Sequence, residues 1–330
     1  MSNLGLVISD NANFLNYIRS DLEKKYKVSE FQFAEKNFPV MSSRINSWRY
    51  KKNWQRFTHQ QDVLFFEWAG EQLARASHLQ KSAPVLVRLL GYELYHWAPH
   101  IDWNYVDVIT VPLRWVKKDF GKYYSQYADK CEIIPTGIDI RRFDPTPMPF
   151  RGNLGILGYI SPRKRVYELI LSFADMISTG LDLNLYIAGN HDQRYQRDFD
   201  PIQLLPSKLG IQDRVHFEGF VPSTTEWLKK IDIFISNSYS ETQHVALQEA
   251  MASACYCLAH FWPGVEEYMP AGNIFGTPND LLQKVNEFVA LSEKQKMQQK
   301  SALLSVVQKE FDYKNVNIKL LDIIDKLLIS

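Results

Sequence analysis

Short apolar, β-branched runs recur along the first half of the chain, at Leu4 to Ile8, Val28 to Phe33, Val63 to Phe66, Val85 to Leu89, Val106 to Val111 and Glu132 to Ile134. Each has the length of a strand, and most are separated by segments long enough for a helix. Asn11 to Lys24 places Phe14, Leu15, Ile18 and Leu22 on one helical face, with Asp10 or Asn11 as its cap. Strands alternating with helices predict a parallel sheet covered by helices, an α/β fold.

The pattern stops at the proline-rich stretch Arg142-Phe-Asp-Pro-Thr-Pro-Met-Pro149 and then starts again. Proline removes an amide donor and fixes φ, so this stretch continues neither a helix nor an inner strand and reads as a linker. Beyond it, strands are expected at Leu154 to Tyr159, Leu183 to Ala188, Val215 to Phe217, Ile233 to Ser236 and Cys255 to Ala259, with helices near 166 to 178, 244 to 253 and 279 to 291. Two doubly wound, Rossmann-like domains are therefore expected, over 1–148 and 149–312. The segment Tyr313 to Ile329 repeats Ile318, Leu320, Leu321, Ile323, Ile324, Leu327 and Leu328 at helical spacing. It predicts a closing helix over 313–330, able to cross back onto the first domain. In open sheets of this kind ligands sit beyond the carboxyl ends of the strands, here in a cleft between the two domains.

Composition narrows the partners. The formal net charge of +1 over 330 residues gives no general attraction to nucleic acid. Cys131, Cys255 and Cys257 form neither an even disulfide framework nor a zinc-type pair and read as reduced core thiols. No leader pattern and no run of about 18 apolar residues is present, so the default address is the cytoplasm. Aromatic and basic residues interleave in Trp48-Arg-Tyr-Lys-Lys-Asn-Trp54, which leaves peripheral contact with the inner membrane face open.

Chemistry concentrates in Ser238-Tyr-Ser-Glu-Thr-Gln-His-Val-Ala-Leu-Gln-Glu-Ala-Met-Ala-Ser253, which reads as a turn and then a helix after the strand ending at Ser236. Glu241 and Glu249 are eight positions apart, a rise of about 12 Å along a helix. That distance matches the reach from a ribose to a sugar beyond its diphosphate, and each carboxylate can accept hydroxyl hydrogen bonds. Amide groups at the helix start favour the diphosphate without requiring a metal. Taken by spacing alone, the same pair also fits a solvated helix face.

These residues resemble the Glu-x7-Glu motif of retaining glycosyltransferases of family 4 (group 1), which have the GT-B fold of two Rossmann-like domains. Further segments are similar to that family in order: Ile134-Pro-Thr-Gly-Ile-Asp139 with Phe143 and Pro145, Gly158-Tyr-Ile-Ser-Pro-Arg-Lys164, Tyr186-Ile-Ala-Gly189 and Arg214-Val-His-Phe-Glu-Gly219. The resemblance implies hexose transfer from a nucleotide diphosphate sugar, UDP- or GDP-linked, to a hydroxyl on a glycan, a lipid-linked or a small-molecule acceptor. It implies no cofactor and no metal. Glu241 would contact the donor sugar and Glu249 the ribose, and Lys164 would stabilise the departing diphosphate. Arg163, Gly189, His244 and Val245 fall on the donor side, His244 standing where the family often has glycine.

Two positions depart from the pattern: Tyr159 replaces an arginine, and Leu90 in Arg88-Leu-Leu-Gly-Tyr-Glu93 replaces a histidine. Leucine can neither donate nor accept a proton. Asp10, Asn11, Glu93, His96 and Trp262 are the acceptor or cleft candidates, Glu93 also as a partner for Arg88 and Trp262 also as core. Segments such as Glu67-Trp-Ala-Gly-Glu71 resemble bacterial members associated with surface polysaccharide assembly. The competing functions are an epimerase-like nucleotide-sugar enzyme and a transferase-like binding subunit without turnover.

Overall fold

The computed structural model describes residues 1–10, 12–146, 148–191 and 196–329. The chain divides into two compact units, Met1–Gly137 with Tyr313–Ser330, and Ile138–Asp312. The division falls at Gly137 rather than after residue 148, so the proline-rich stretch goes with the second unit. Prolines mark where regular structure stops, and that need not be where contacts change partners.

The first unit is built on β1 (Asn3–Ile8), β2 (Lys27–Glu30), β3 (Val63–Glu67), β4 (Val85–Arg88), β5 (Val108–Val111) and β6 (Cys131–Ile133). They form one parallel sheet in the order β2-β1-β3-β4-β5-β6. The central strand β3 is buried at every position, as a continuous apolar run in a sheet covered on both faces should be. Its side chains alternate: Leu64 and Phe66 join a core with Trp54, Trp103 and Phe120, whereas Val63 and Phe65 join Leu4, Leu6 and Leu86 on the other face.

That second face is completed by the helix Tyr313–Ile329, whose Val316, Leu320, Ile324 and Leu327 are buried in it. A Cβ at Gly137 would lie 2.5 Å from the Cα of Tyr313, so the chain leaves and re-enters this unit at touching points. Asn317 Nδ2 donates to the Tyr17 carbonyl at 2.8 Å and Tyr26 Oη to Asp325 at 2.7 Å, both anchoring the returning helix. The helix expected over Asn11 to Lys24 is instead a 3-10 turn, Asn13–Leu15, followed by a helix at Arg19–Lys25. Leu15, Ile18 and Leu22 are buried either way, so apolar spacing could not tell the two apart.

The second unit contains β7 (Asn153–Leu157), β8 (Asn184–Ala188), β9 (Val215–Gly219), β10 (Ile233–Ser236), β11 (Tyr256–His260) and β12 (Ile274–Phe275), in the parallel order β12-β11-β10-β7-β8-β9. From β7 the chain builds outward through β8 and β9, then returns to β10 on the other side. The sheet order therefore reverses between β7 and β10, and the loops leaving these two strands open at the switch point where α/β sheets hold ligands.

Candidate functional site

Both loops at the switch point end in a helix start of unusual form. The loop after β7 leads to the helix Val166–Ser178, whose N-cap Arg165 has φ +52° and no side-chain cap hydrogen bond. The loop after β10 leads to Val245–Ala252, whose N-cap His244 has φ +56° and likewise no side-chain cap. Left-handed backbone at two non-glycine residues is strain that the surroundings must hold in place. Cross-loop bonds do so: Asn237 Nδ2 donates to the Arg165 carbonyl at 2.8 Å, the Tyr239 amide to the Arg163 carbonyl at 3.2 Å, and Arg163 Nη1 to the Ser240 carbonyl at 2.7 Å. Tyr268 Oη, from beyond β11, fixes the Gln243 carbonyl at 2.6 Å.

Between the loops lies a buried charge cluster. Lys164 Nζ is 2.7 Å from Glu241 Oε1 and 3.1 Å from His244 Nε2. Glu241 Oε1 also meets Arg163 Nη1 at 2.6 Å and accepts from Ser238 Oγ at 2.7 Å. Burial alone would push the Glu241 carboxyl up, but the Lys164 ammonium and the Arg163 guanidinium beside it hold it well below the usual carboxylate range. His244 is driven down to about 3, first by burial and then by the Lys164 charge, so it is neutral near pH 7. A neutral ring facing an ammonium must accept at Nε2. Its proton is then on Nδ1, donated to Ser236 Oγ at 2.6 Å. His244 thus opens the helix with its backbone while its side chain, a buried neutral ring, is held between Lys164 and Ser236 and makes no cap.

Arg163 and Lys164 outnumber the single Glu241 carboxylate, so the cluster carries about one net positive charge beside two helix starts. That combination attracts a polyanion such as a diphosphate. Glu249 lies on the helix that Val245 opens, whereas Glu241 lies on the loop before it. The 12 Å rise assumed a continuous helix, and the left-handed turn at His244 interrupts it. Burial raises the Glu249 carboxyl to about 7, and the Arg142 charge offsets only part of this. Gly189 and Gly158 end β8 and β7 at the same edge, with φ +128° and +139°. A Cβ at Gly158 would sit 3.3 Å from Lys164 Nζ, so the bare backbone gives the lysine its room.

The remaining candidates separate. Trp262 is fully buried against Tyr268, with ring centroids 6.1 Å apart, and belongs to the core, since no ligand can stack on a ring without exposed surface. In the first unit, Glu93 is fully buried and accepts from the Leu90 and Gly91 amides at 3.1 and 2.8 Å. Burial raises its carboxyl to about 7 against those amides, and it shapes the turn after β4. It does not pair with Arg88, which instead meets buried Glu67 at 2.9 Å. Asp10 accepts from Tyr92 Oη at 2.6 Å and stays exposed, as does His96 beside the Tyr92 ring. Asn11 lies outside the described residues. Sequence reasoning missed Ser236, Ser238 and Tyr268, whose only signal was hydroxyl groups at strand ends and near the glutamate loop. Among the described residues no group of three or more His, Cys, Asp and Glu side chains is placed to hold a metal ion.

Residues 153–303 match the family model of glycosyl transferases group 1. An alpha-monoglucosyldiacylglycerol synthase from Streptococcus pneumoniae is 34% identical over a match that takes in 41% of this chain and 34% of that protein, so the match spans about a third of the relative's length. Among solved structures, Anabaena HepE in complex with UDP is 16% identical and superposes with a TM-score of 0.76, covering 99% of this chain and 100% of that one. Sucrose-phosphate synthase from Thermosynechococcus elongatus, 14% identical, gives a TM-score of 0.73 with 100% of both chains covered. At such identities the likeness shows a shared architecture. The charge cluster at the switch point therefore sits inside a segment that matches group 1 glycosyl transferases, in a chain whose two parallel six-stranded sheets have the GT-B fold.

Proposed function

We propose that the chain is a retaining glycosyltransferase of family 4 that moves a hexose from a nucleotide diphosphate sugar to a hydroxyl acceptor in glycan or surface polysaccharide synthesis. The second unit holds the donor and the first the acceptor. The observation that carries the reading is the buried Lys164–Glu241–His244 cluster at the switch point, set against two helix starts. Lys164, Arg163 and the helix amides supply positive charge where the leaving diphosphate becomes more negative, so the reading needs no metal. Glu241, held ionised, accepts from donor sugar hydroxyls. In the transfer the anomeric carbon's bond to the diphosphate oxygen breaks and a bond to the acceptor oxygen forms on the same face. The acceptor proton passes to the leaving diphosphate, so Leu90 is compatible with turnover. The UDP held by the structurally similar Anabaena protein supports UDP as the first donor nucleotide to test. The pneumococcal relative's name supports a lipid hydroxyl among the acceptors.

Calorimetric titration with UDP-, GDP- and ADP-sugars, without added metal, tests the donor site. One nucleotide is expected to bind in the micromolar range and to lose at least tenfold in affinity in Glu249→Ala. Failure of every nucleotide sugar to bind would overturn the assignment. The anomeric configuration of the product, read by NMR, tests retention.

The Glu249 carboxyl adds a pH signature. Only its ionised form accepts from two ribose hydroxyls, and with its value raised to about 7 that form dominates only above neutrality. Affinity should rise as pH increases from 6 to 8, with proton release on binding at pH 6, and Glu249→Gln should flatten the profile. Stability runs the opposite way. The unfolded carboxyl ionises near 4.5, so the burial penalty on the charged form grows between pH 4.5 and about 7. Glu249→Gln should therefore melt higher than the parent at pH 8 and not at pH 4.

A further inference from the structure

The helix Ser42–Thr58 carries Arg44, Arg49, Lys51, Lys52 and Arg56 and no acidic residue, in a chain whose formal net charge is only +1. Its buried stripe is Asn46, Tyr50, Trp54 and Thr58. At about 100° per residue the opposite direction falls on Lys52, with Trp48 and Arg56 about 40° to either side and Arg44 and Lys51 on the Trp48 flank. Trp54 is fully buried, whereas Trp48 is 63% exposed. Of the two tryptophans that frame this basic segment, one is core and the other faces outward. Val40 and Met41, at the entrance to the helix, are 70% and 55% exposed.

The cations on this face are not used up by the protein. Among the described residues Arg44, Lys51, Lys52 and Arg56 have no carboxylate partner, and Lys52 Nζ lies 5.3 Å from the centre of the Trp48 ring. Arg49 is different: it points to the Phe33 and Phe38 rings at 5.4 and 5.8 Å and to Asn46 at 2.8 Å, tying the preceding loop to the helix. That loop is what presents Val40 and Met41. An exposed indole ringed by unpaired cations, with two further apolar side chains at one end, combines two chemistries.

We propose that this face docks the chain on a bilayer carrying anionic lipid headgroups. Lys and Arg reach the headgroup charges while Trp48, Met41 and Val40 enter the interfacial layer, where an amphipathic indole is favoured. A nucleic acid would engage the cations and offer Trp48 a base to stack on, but would leave the exposed aliphatic Val40 and Met41 without a partner. No helix among the described residues is long and apolar enough to cross a membrane, so the contact is peripheral. The inference does not depend on the transferase reading.

The test is co-sedimentation of the full chain with extruded vesicles of phosphatidylcholine alone or of phosphatidylcholine with phosphatidylglycerol, at low and high salt. Binding is expected only to the anionic vesicles and to weaken with salt. The pair Lys51→Glu and Lys52→Glu should weaken it at least tenfold, and Trp48→Ala several-fold, with melting temperatures within a few degrees of the parent because all three side chains face outward. Equal binding to neutral vesicles, no binding to anionic ones, or variants that bind like the parent would overturn the proposal. So would loss, in the same variants, of affinity for a single-stranded oligonucleotide in a chain that ignores vesicles.

Discussion

Lys164→Ala should lower turnover of the donor sugar by about 10²- to 10³-fold at saturating donor, the range seen when one preorganised group facing developing charge is removed. The expectation follows from placement: the ammonium is 2.7 Å from Glu241, beside the start of the helix after β10. A buried cation held by fixed partners needs no reorganisation when the leaving group gains charge. The same substitution should cost about 2–3 kcal/mol of stability, because it leaves the Glu241 carboxylate buried with Arg163 as its remaining cation. The pH dependence has a definite sign. Glu241 ionises below its unfolded value, so its pairing stabilises the fold above that value and is lost as pH falls. The loss in Lys164→Ala should therefore be largest near neutrality and shrink in acid. Adding Glu241→Ala removes the orphaned carboxylate and should restore part of the melting temperature but none of the turnover. Full turnover by Lys164→Ala would refute the leaving-group role, and equal melting losses at pH 4 and pH 7 would refute the electrostatic account.

What could be read from the chain before folding follows the physics of each feature. Strand positions were legible where both faces are buried, as in Val63 to Phe66, because continuous apolar runs of that length have few other uses. The helix Ser42–Thr58 was not read, since its buried stripe includes Asn46 and Thr58 and its average composition is polar. The helix Gln196–Lys208 was hidden by Pro201 and Pro206 within it. In the site, Glu241, Lys164 and Glu249 were found as residue types in a motif. Their electrostatic states were not, because those depend on burial and on neighbours far along the chain, Lys164 for Glu241 and Arg142 for Glu249. His244 shows the difference: only the structure shows that its ring is buried between Ser236 and Lys164 and must be neutral. Trp262 shows the converse, an aromatic residue next to a strand end that packs inward.

Gly189→Ala is the substitution expected to damage the fold of the second unit most. A Cβ at this position would lie 2.0 Å from the Gly158 carbonyl oxygen, and both partners of the clash are backbone at the ends of paired strands β7 and β8. Neither can move without disturbing the bonds that hold the edge together. The Gly158 amide donates to the Ala188 carbonyl at 3.0 Å, and the Gly189 amide to the Gly219 carbonyl at 2.7 Å. Its φ of +128° is also a conformation that L side chains rarely adopt. Conformation and collision can be separated with Gly180→Ala, because Gly180 has φ +89° but nothing within 4 Å of its Cβ position. That control should lose only about 1 kcal/mol, the cost of the backbone alone. Gly189→Ala should lose about 3–5 kcal/mol, lowering the melting temperature by roughly 10 °C. Because the room beside Gly158, where a Cβ would lie 3.3 Å from Lys164 Nζ, is what seats the lysine, whatever of Gly189→Ala stays folded should also bind the nucleotide sugar more weakly, whereas Gly180→Ala should bind it normally. Equal melting losses in the two variants would show that the edge gives way easily, and that the close approach of the two loops is not what shapes the site.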